Sequence, residues 1–146
     1  MKRKGKIKMV VLIILGVLIA GMGAGIIFTG PGRQEAMNLT FSDAGFANLR
    51  DGTYVGEYKG QKDSMRNNKV QITVALGKVS EIKVLEGALA KHDKPVELRN
   101  GMTIDTLFGK VIQSQSLGVD VISGATITSK VHLKAVENAL ASAQSN

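Results

Sequence analysis

The clearest period in this chain is two. Val70, Ile72, Val74 and Leu76 alternate with Gln71, Thr73 and Ala75, which predicts a strand buried on one face and wet on the other. Gly77-Lys78 reads as a two-residue turn, and Val79 to Leu85, with Ile82 and Val84 on a shared face, predicts an antiparallel partner. Upstream, Asp51-Gly52 is a turn signal, and Thr53, Tyr54, Val55 and Tyr58 read as a first strand. The glycines at 52, 56 and 60 either bend the backbone or leave it open to a flat ligand. After an irregular stretch from Gly87 to Asn100 the period becomes helical. Ile104, Leu107 or Phe108, Val111 and Ile112 form a stripe within Met102 to Ser116, with Thr103 as its N-cap and Gly109 marking a bend or a close approach. A last helix, about Thr128 to Ala141, turns Val131, Leu133, Ala135, Val136 and Leu140 inward and leaves His132, Lys134 and Asn138 outward or at the margin. The sum is an α+β domain over residues 49–141, a small antiparallel sheet packed against two helices, with a polar tail at 142–146.

One stretch has neither period. Met9 to Phe28 is apolar or glycine throughout, and as a helix it would rise roughly 30 Å, about the thickness of a bilayer's hydrocarbon core. It predicts one N-terminal transmembrane helix, uncleaved, preceded by a basic cytoplasmic flank at 1–8 and followed by a tether at 29–48. The domain would then lie outside the cytoplasm, on a single-pass anchor. Short helical turns near Glu35 to Leu39 and Ser42 to Leu49 are expected within the tether.

Charge alters little once it is located. The formal net charge is +7, but Lys2, Arg3, Lys4, Lys6 and Lys8 supply five positives; subtracting these five leaves +2, too small and scattered for nucleic-acid binding. Cysteine is absent, which removes disulfides, thiolate metal sites and iron–sulfur clusters. There is no P-loop, no His-Glu-x-x-His and no Gly-x-Gly-x-x-Gly, so nucleotide and zinc motifs are missing and no metal is expected.

Chemistry concentrates between Asp120 and Ser129, Asp-Val-Ile-Ser-Gly-Ala-Thr-Ile-Thr-Ser, where hydroxyls and a glycine precede a helix. Unpaired amides and the positive end of the helix dipole suit such a place to an anion. Thr126 and Thr128 can alternatively be plain helix caps. A nucleophile–base pairing of Ser123 or Thr126 with His92 or His132 can be written, but no nucleophile elbow supports it.

Asp120-Val121-Ile122-Ser123-Gly124-Ala125-Thr126 resembles the attachment motif Asp-x-x-(Ser/Thr)-Gly-Ala-Thr of the FMN-binding domain family, and the pattern continues through Thr128 and Ser129. Asp51-Gly52-Thr53-Tyr54 with Gly56, Gln115 and His92 are similar to the compact, single-domain members. That family includes the flavoprotein subunits of sodium-pumping quinone reductases and related membrane electron-transfer complexes. The resemblance implies covalent FMN, joined as a phosphoester to Thr126 by an extracytoplasmic FAD-dependent flavin transferase. It implies Ser123, Gly124, Ala125, Thr128, Ser129 and His92 around the cofactor, and Asp120 in recognition by the transferase. It further implies a flavoprotein anchored at a bacterial cell membrane that relays electrons from a membrane donor to an external or membrane acceptor. The alternative is an anchored sensory or structural module that binds flavin without redox turnover. Whether the chain is an enzyme stays open.

Overall fold

A computed structural model of the chain describes residues 2–90 and 96–144, and of residues 2–5 and 21–29 only the backbone. In order come helix α1 (Lys2–Met37), a 3₁₀ turn at Asp43–Phe46, strands β1 (Gly52–Tyr58), β2 (Asn68–Ala75), β3 (Lys78–Glu86), β4 (Glu97–Arg99) and β5 (Met102–Thr103), then helices α2 (Ile104–Ser114) and α3 (Thr126–Ala143). The α+β architecture expected from the periods holds. β1, β2 and β3 form an antiparallel sheet in that order, and β4 pairs with β5 as a separate hairpin.

β2 is the middle strand because its alternation is the strongest. Val70, Ile72 and Val74 are buried, and the register places Gly56 and Val84 on either side of Val70, and Tyr54 and Ile82 on either side of Ile72. This apolar face meets α3, which lies over β1 and β2, while α2 lies against β3. The stripe of α2 is as its spacing predicts, with Ile104, Leu107, Phe108 and Val111 buried. Thr103 caps it in a capping box with Thr106, each hydroxyl accepting the other residue's backbone N–H.

Tertiary structure overrides the pattern in several places. Leu76 does not continue the buried face but is 92% exposed, since Leu76-Gly77 forms the hairpin turn. Both residues have positive φ, 55° and 71°, the geometry that matches strand twist in a two-residue loop. The Asp51 carboxylate holds this turn, accepting from the amides of Leu76 at 3.0 Å and Gly77 at 2.8 Å. The stretch expected to be irregular contains β4, which turns into β5 through Asn100-Gly101, again with two positive φ values. Gly56 is neither a bend nor a ligand platform: a Cβ there would stand 2.0 Å from the Ala135 carbonyl oxygen and 2.3 Å from the Ala139 nitrogen. Around Gly109, in contrast, nothing lies within 4 Å.

The transmembrane expectation is corrected. Among the described residues no helix is long and apolar enough to cross a membrane. Side chains 21–28 of the apolar run lie outside the described residues. The anchored form of the function, the bilayer and a membrane electron donor as partners, and the placement at a bacterial cell membrane rested on that span and go with it.

The segment read as a tether lies against the domain. Ala36 is buried, the Glu35 carboxylate accepts from the amides of Gln61 and Lys62, and Lys130 Nζ donates to the carbonyls of Met37 and Leu39.

Two glycine substitutions separate close packing from intrinsic helix propensity. Gly56→Ala is expected to cost at least about 1–3 kcal/mol, because backbone atoms on α3 cannot yield as a side chain can. Gly109→Ala is expected to gain about 0.5–1 kcal/mol, having only open space to fill. Urea midpoints at constant slope measure both, and a neutral Gly56→Ala would refute the packing account.

Candidate functional site

The loop before α3 is set from both sides. At its start Gln115, which ends α2 in the left-handed conformation (φ 49°), turns its amide onto β3. Its Oε1 accepts from the Val79 N–H at 2.9 Å and its Nε2 donates to the Val79 carbonyl at 2.8 Å, so the side chain continues the sheet by one rung. Asp43 then accepts from the Leu117 amide and the Ser116 hydroxyl. At the far end Ser129 is fully buried: its Oγ donates to the Ala125 carbonyl at 2.9 Å and accepts from the Ile122 amide at 3.2 Å. The Ala125 amide closes the turn on the Ile122 carbonyl at 2.9 Å. Ser129 is thus a fastener of the loop, its hydroxyl committed within the protein.

These bonds start the helix two residues earlier than the apolar pattern predicts. Thr126 is the first residue of α3, and the N-cap is Ala125, which supplies no side-chain hydrogen bond. Whereas α2 is capped, the leading amides of α3 have no side chain over them, and no acidic residue stands in its first turn. The Thr126 side chain is half-buried, and its hydroxyl has no hydrogen-bond partner among the described residues. It opens on a recess of about 240 Å³ lined by Arg33, Met37, Gly124, Ala125, Thr126, Ile127 and Thr128. Arg33, exposed near the end of α1, therefore borders the same space as the uncapped helix start.

Gly124 has φ +79°, and a Cβ on it would meet the Arg99 side chain, 2.5 Å from Cδ and 2.8 Å from Nη1. Arg99, carried on β4, covers the glycine where the chain turns into α3. Ser123 and Asp120 are exposed on the approach to the turn. His92 lies outside the described residues.

Ile127 and Thr128 also wall a second cavity, of about 150 Å³, whose other lining includes Asn68, Leu89, Leu98, Val131 and His132. His132, expected outward or at the margin, is 4% exposed. The reason is that α3 presents the face of Thr128, Val131, His132 and Ala135 to the sheet, with the imidazole under the start of β2. Its Nδ1 lies 2.7 Å from the Thr128 carbonyl oxygen, which can only accept, so Nδ1 carries the proton and Nε2 is a bare acceptor. Burial pushes the imidazole pKa below its ordinary value of 6.5, an effect partly offset by that bond. Asn68, also 4% exposed, donates through Nδ2 to the carbonyls of Arg66 and Val131 at 3.2 and 3.3 Å, which fixes its amide orientation. Among the described residues, Asn68 Oδ1 and His132 Nε2 are both buried with no hydrogen-bond partner. His132 enters the sequence reading only as a possible base for Ser123 or Thr126, and Asn68 does not enter it; a histidine four residues after Thr128 was the available signal.

Among the described residues no cluster of His, Asp or Glu could hold a metal ion. The recess at Thr126 instead offers what a phosphate needs: amides at a helix start, a free hydroxyl and an arginine. The family model described as FMN-binding domain matches residues 66–141. The chain belongs to the FMN-binding domain family. That match takes in β2 through α3, with both the uncapped helix start and the buried acceptor pair inside it. No curated protein and no solved structure matches the chain.

The neutral state of His132 fixes a direction with pH. The unfolded chain takes up a proton as pH falls through 6.5, whereas the buried imidazole resists doing so. Its contribution to stability is therefore complete above pH 6.5 and is lost below it, by up to about 1.4 kcal/mol per pH unit. Thermal midpoints of the unflavinylated protein should fall across that window, and His132→Gln should flatten the fall; an unchanged slope in the variant would assign it elsewhere.

Proposed function

We propose that this FMN-binding domain carries its flavin covalently, with the FMN phosphate esterified to Thr126 Oγ1. The observation that carries the reading is a free threonine hydroxyl at the uncapped start of α3, in a recess shared with Arg33. Thr126 loses its hydroxyl proton to form the ester, FAD supplies the FMN phosphorus and AMP leaves. The ester's remaining negative oxygen would face the amides of α3 and Arg33, where helix dipole and guanidinium both favour it. Gly124 permits the turn at φ +79°, Ser129 holds it, Ala125 and Thr128 line the recess, and Ser123 stands exposed just ahead of it. Asp120, exposed ahead of the turn, serves recognition by an FAD-dependent flavin transferase. A role for His92 in holding the flavin rests on the motif resemblance alone, since the residue lies outside the described ones.

Bound FMN supplies one- and two-electron redox chemistry, and the chain's part is to hold it, set its exposure and tune its potential. Two of its connections, Leu76-Gly77 and Asn100-Gly101, are two-residue hairpins, in keeping with a resemblance to the compact members of the family.

Intact mass after coexpression with a flavin transferase tests the ester. One added FMN is expected on the wild-type chain, with a fluorescent band after denaturation, and none on Thr126→Ala. A Thr126→Ala protein that keeps flavin through denaturation would overturn the assignment.

A further inference from the structure

A run of contacts made by residues ahead of the matched region leads to the recess at Thr126. Thr126, Lys130, Lys134 and Glu137 are spaced four, four and three residues apart, so they share one face of α3. The chain from Met37 to Ala44 lies along that face as a strap. Lys130 Nζ donates to the carbonyls of Met37 at 2.6 Å and Leu39 at 3.1 Å, and Lys134 Nζ to that of Thr40 at 3.4 Å. The Ser42 amide donates to Glu137 Oε1 at 2.8 Å, and Gln144 Nε2 to the Ala44 carbonyl at 2.8 Å. Of the four residues on the face, all but Thr126 hold the strap.

The chain just before the strap is pinned from the other side. Pro31 lies inside α1 and has no N–H to donate, so a rung of the helix is missing next to its last turns. Outside contacts hold those turns instead. The Glu35 carboxylate accepts from the Gln61 amide at 2.9 and 3.1 Å and from the Lys62 amide at 3.0 Å. Gly32 packs so closely that a Cβ on it would collide with the Asp63 carboxylate, itself fixed by Arg66 at 2.9 Å and the Met65 amide at 3.1 Å. Arg33 lies between Gly32 and Glu35 and borders the recess. Among the described residues no hydrogen bond or ion pair holds its guanidinium. The backbone that carries it therefore decides where it stands.

We propose that Glu35 and Lys130 are positioning residues for the phosphate at Thr126: by pinning the chain on either side of the recess, they set Arg33 against the ester. The inference rests on the ester proposed above. Neither residue touches the phosphate itself. Lys130, one helical turn beyond Thr126, has its ammonium committed to two carbonyls, and Glu35 carries the same sign of charge as the ester. A segment fixed beforehand spares Arg33 the ordering that a loose one would undergo on meeting the anion.

The test uses the full chain, flavinylated by coexpression with a flavin transferase and confirmed by intact mass, with the ³¹P resonance of the ester as its readout. Arg33→Ala should move that resonance toward its position in the urea-unfolded protein. Glu35→Ala and Lys130→Met should move it the same way, and either one combined with Arg33→Ala should move it no further than Arg33→Ala alone. Glu35→Gln, which keeps one accepting oxygen, should restore most of the wild-type shift. If Glu35→Ala does not fold, Lys130→Met, which keeps the aliphatic stem, decides. Lowered urea midpoints with an unmoved resonance, or a shift that adds to that of Arg33→Ala, would mark a merely structural role and overturn the proposal. A resonance indifferent to Arg33→Ala overturns it too, and the ester stands in each of these cases. An absent mass increment on the wild-type chain removes the ester and this proposal with it.

Discussion

Helix α3 runs so close to β1 that its own backbone at Ala135 and Ala139 occupies the space where residue 56 would carry a side chain. That approach is possible only over glycine, and it fixes the height and rotation of the helix on the sheet. From it follow the burial of Val131, Ala135 and Ala139 and the position of His132 beneath the start of β2. The place where the helix begins, and hence where Thr126 stands, follows too. A helix held higher over the sheet would give the imidazole a route to water and leave no reason for an acceptor pair. The candidate site is in this sense a consequence of a packing contact nine to thirteen residues beyond Thr126 along α3.

The two helix starts make a useful contrast. α2 begins with reciprocal bonds between Thr103 and Thr106, as expected of a helix whose only task is to pack. α3 begins behind an alanine, with no acidic side chain in its first turn, while a threonine hydroxyl and Arg33 face the same recess. Its leading amides are left for water or for a ligand. The cost of an uncapped start is about 1 kcal/mol, which the domain's packing can carry and an anion at the site would offset.

The loop that connects these helices is ordered by hydrogen bonds of unlike kinds. Gln115 prolongs the edge of β3 with a side-chain amide, Asp43 reaches from the 3₁₀ turn to the Leu117 amide, and Ser129 closes the turn from inside. Because Asp43 lies before the family match at 66–141, residues outside the matched region contribute to holding the loop. Arg33, from the end of α1, does the same for the recess. The segment between α1 and β1 is thus part of the site's support.

What the sequence determined by itself is whatever depends on neighbours in the chain. The alternation of β2, the stripe of α2, the Thr103 cap and the Ser-Gly-Ala-Thr turn are local, since strand and helix periods and turn chemistry act over a few residues. The Asn100-Gly101 turn is equally local, but the stretch up to Asn100 reads as irregular and the hairpin was seen only in the fold. The length and composition of the apolar run did not by themselves establish a membrane span. Only the tertiary structure decided that Leu76 belongs to a turn, that Gly56 is a contact and that His132 and Asn68 are buried with one acceptor each unsatisfied. Those facts depend on which face of α3 meets the sheet and how closely. Such rotation and distance come from side chains far apart in sequence packing together, so no window along the chain contains them.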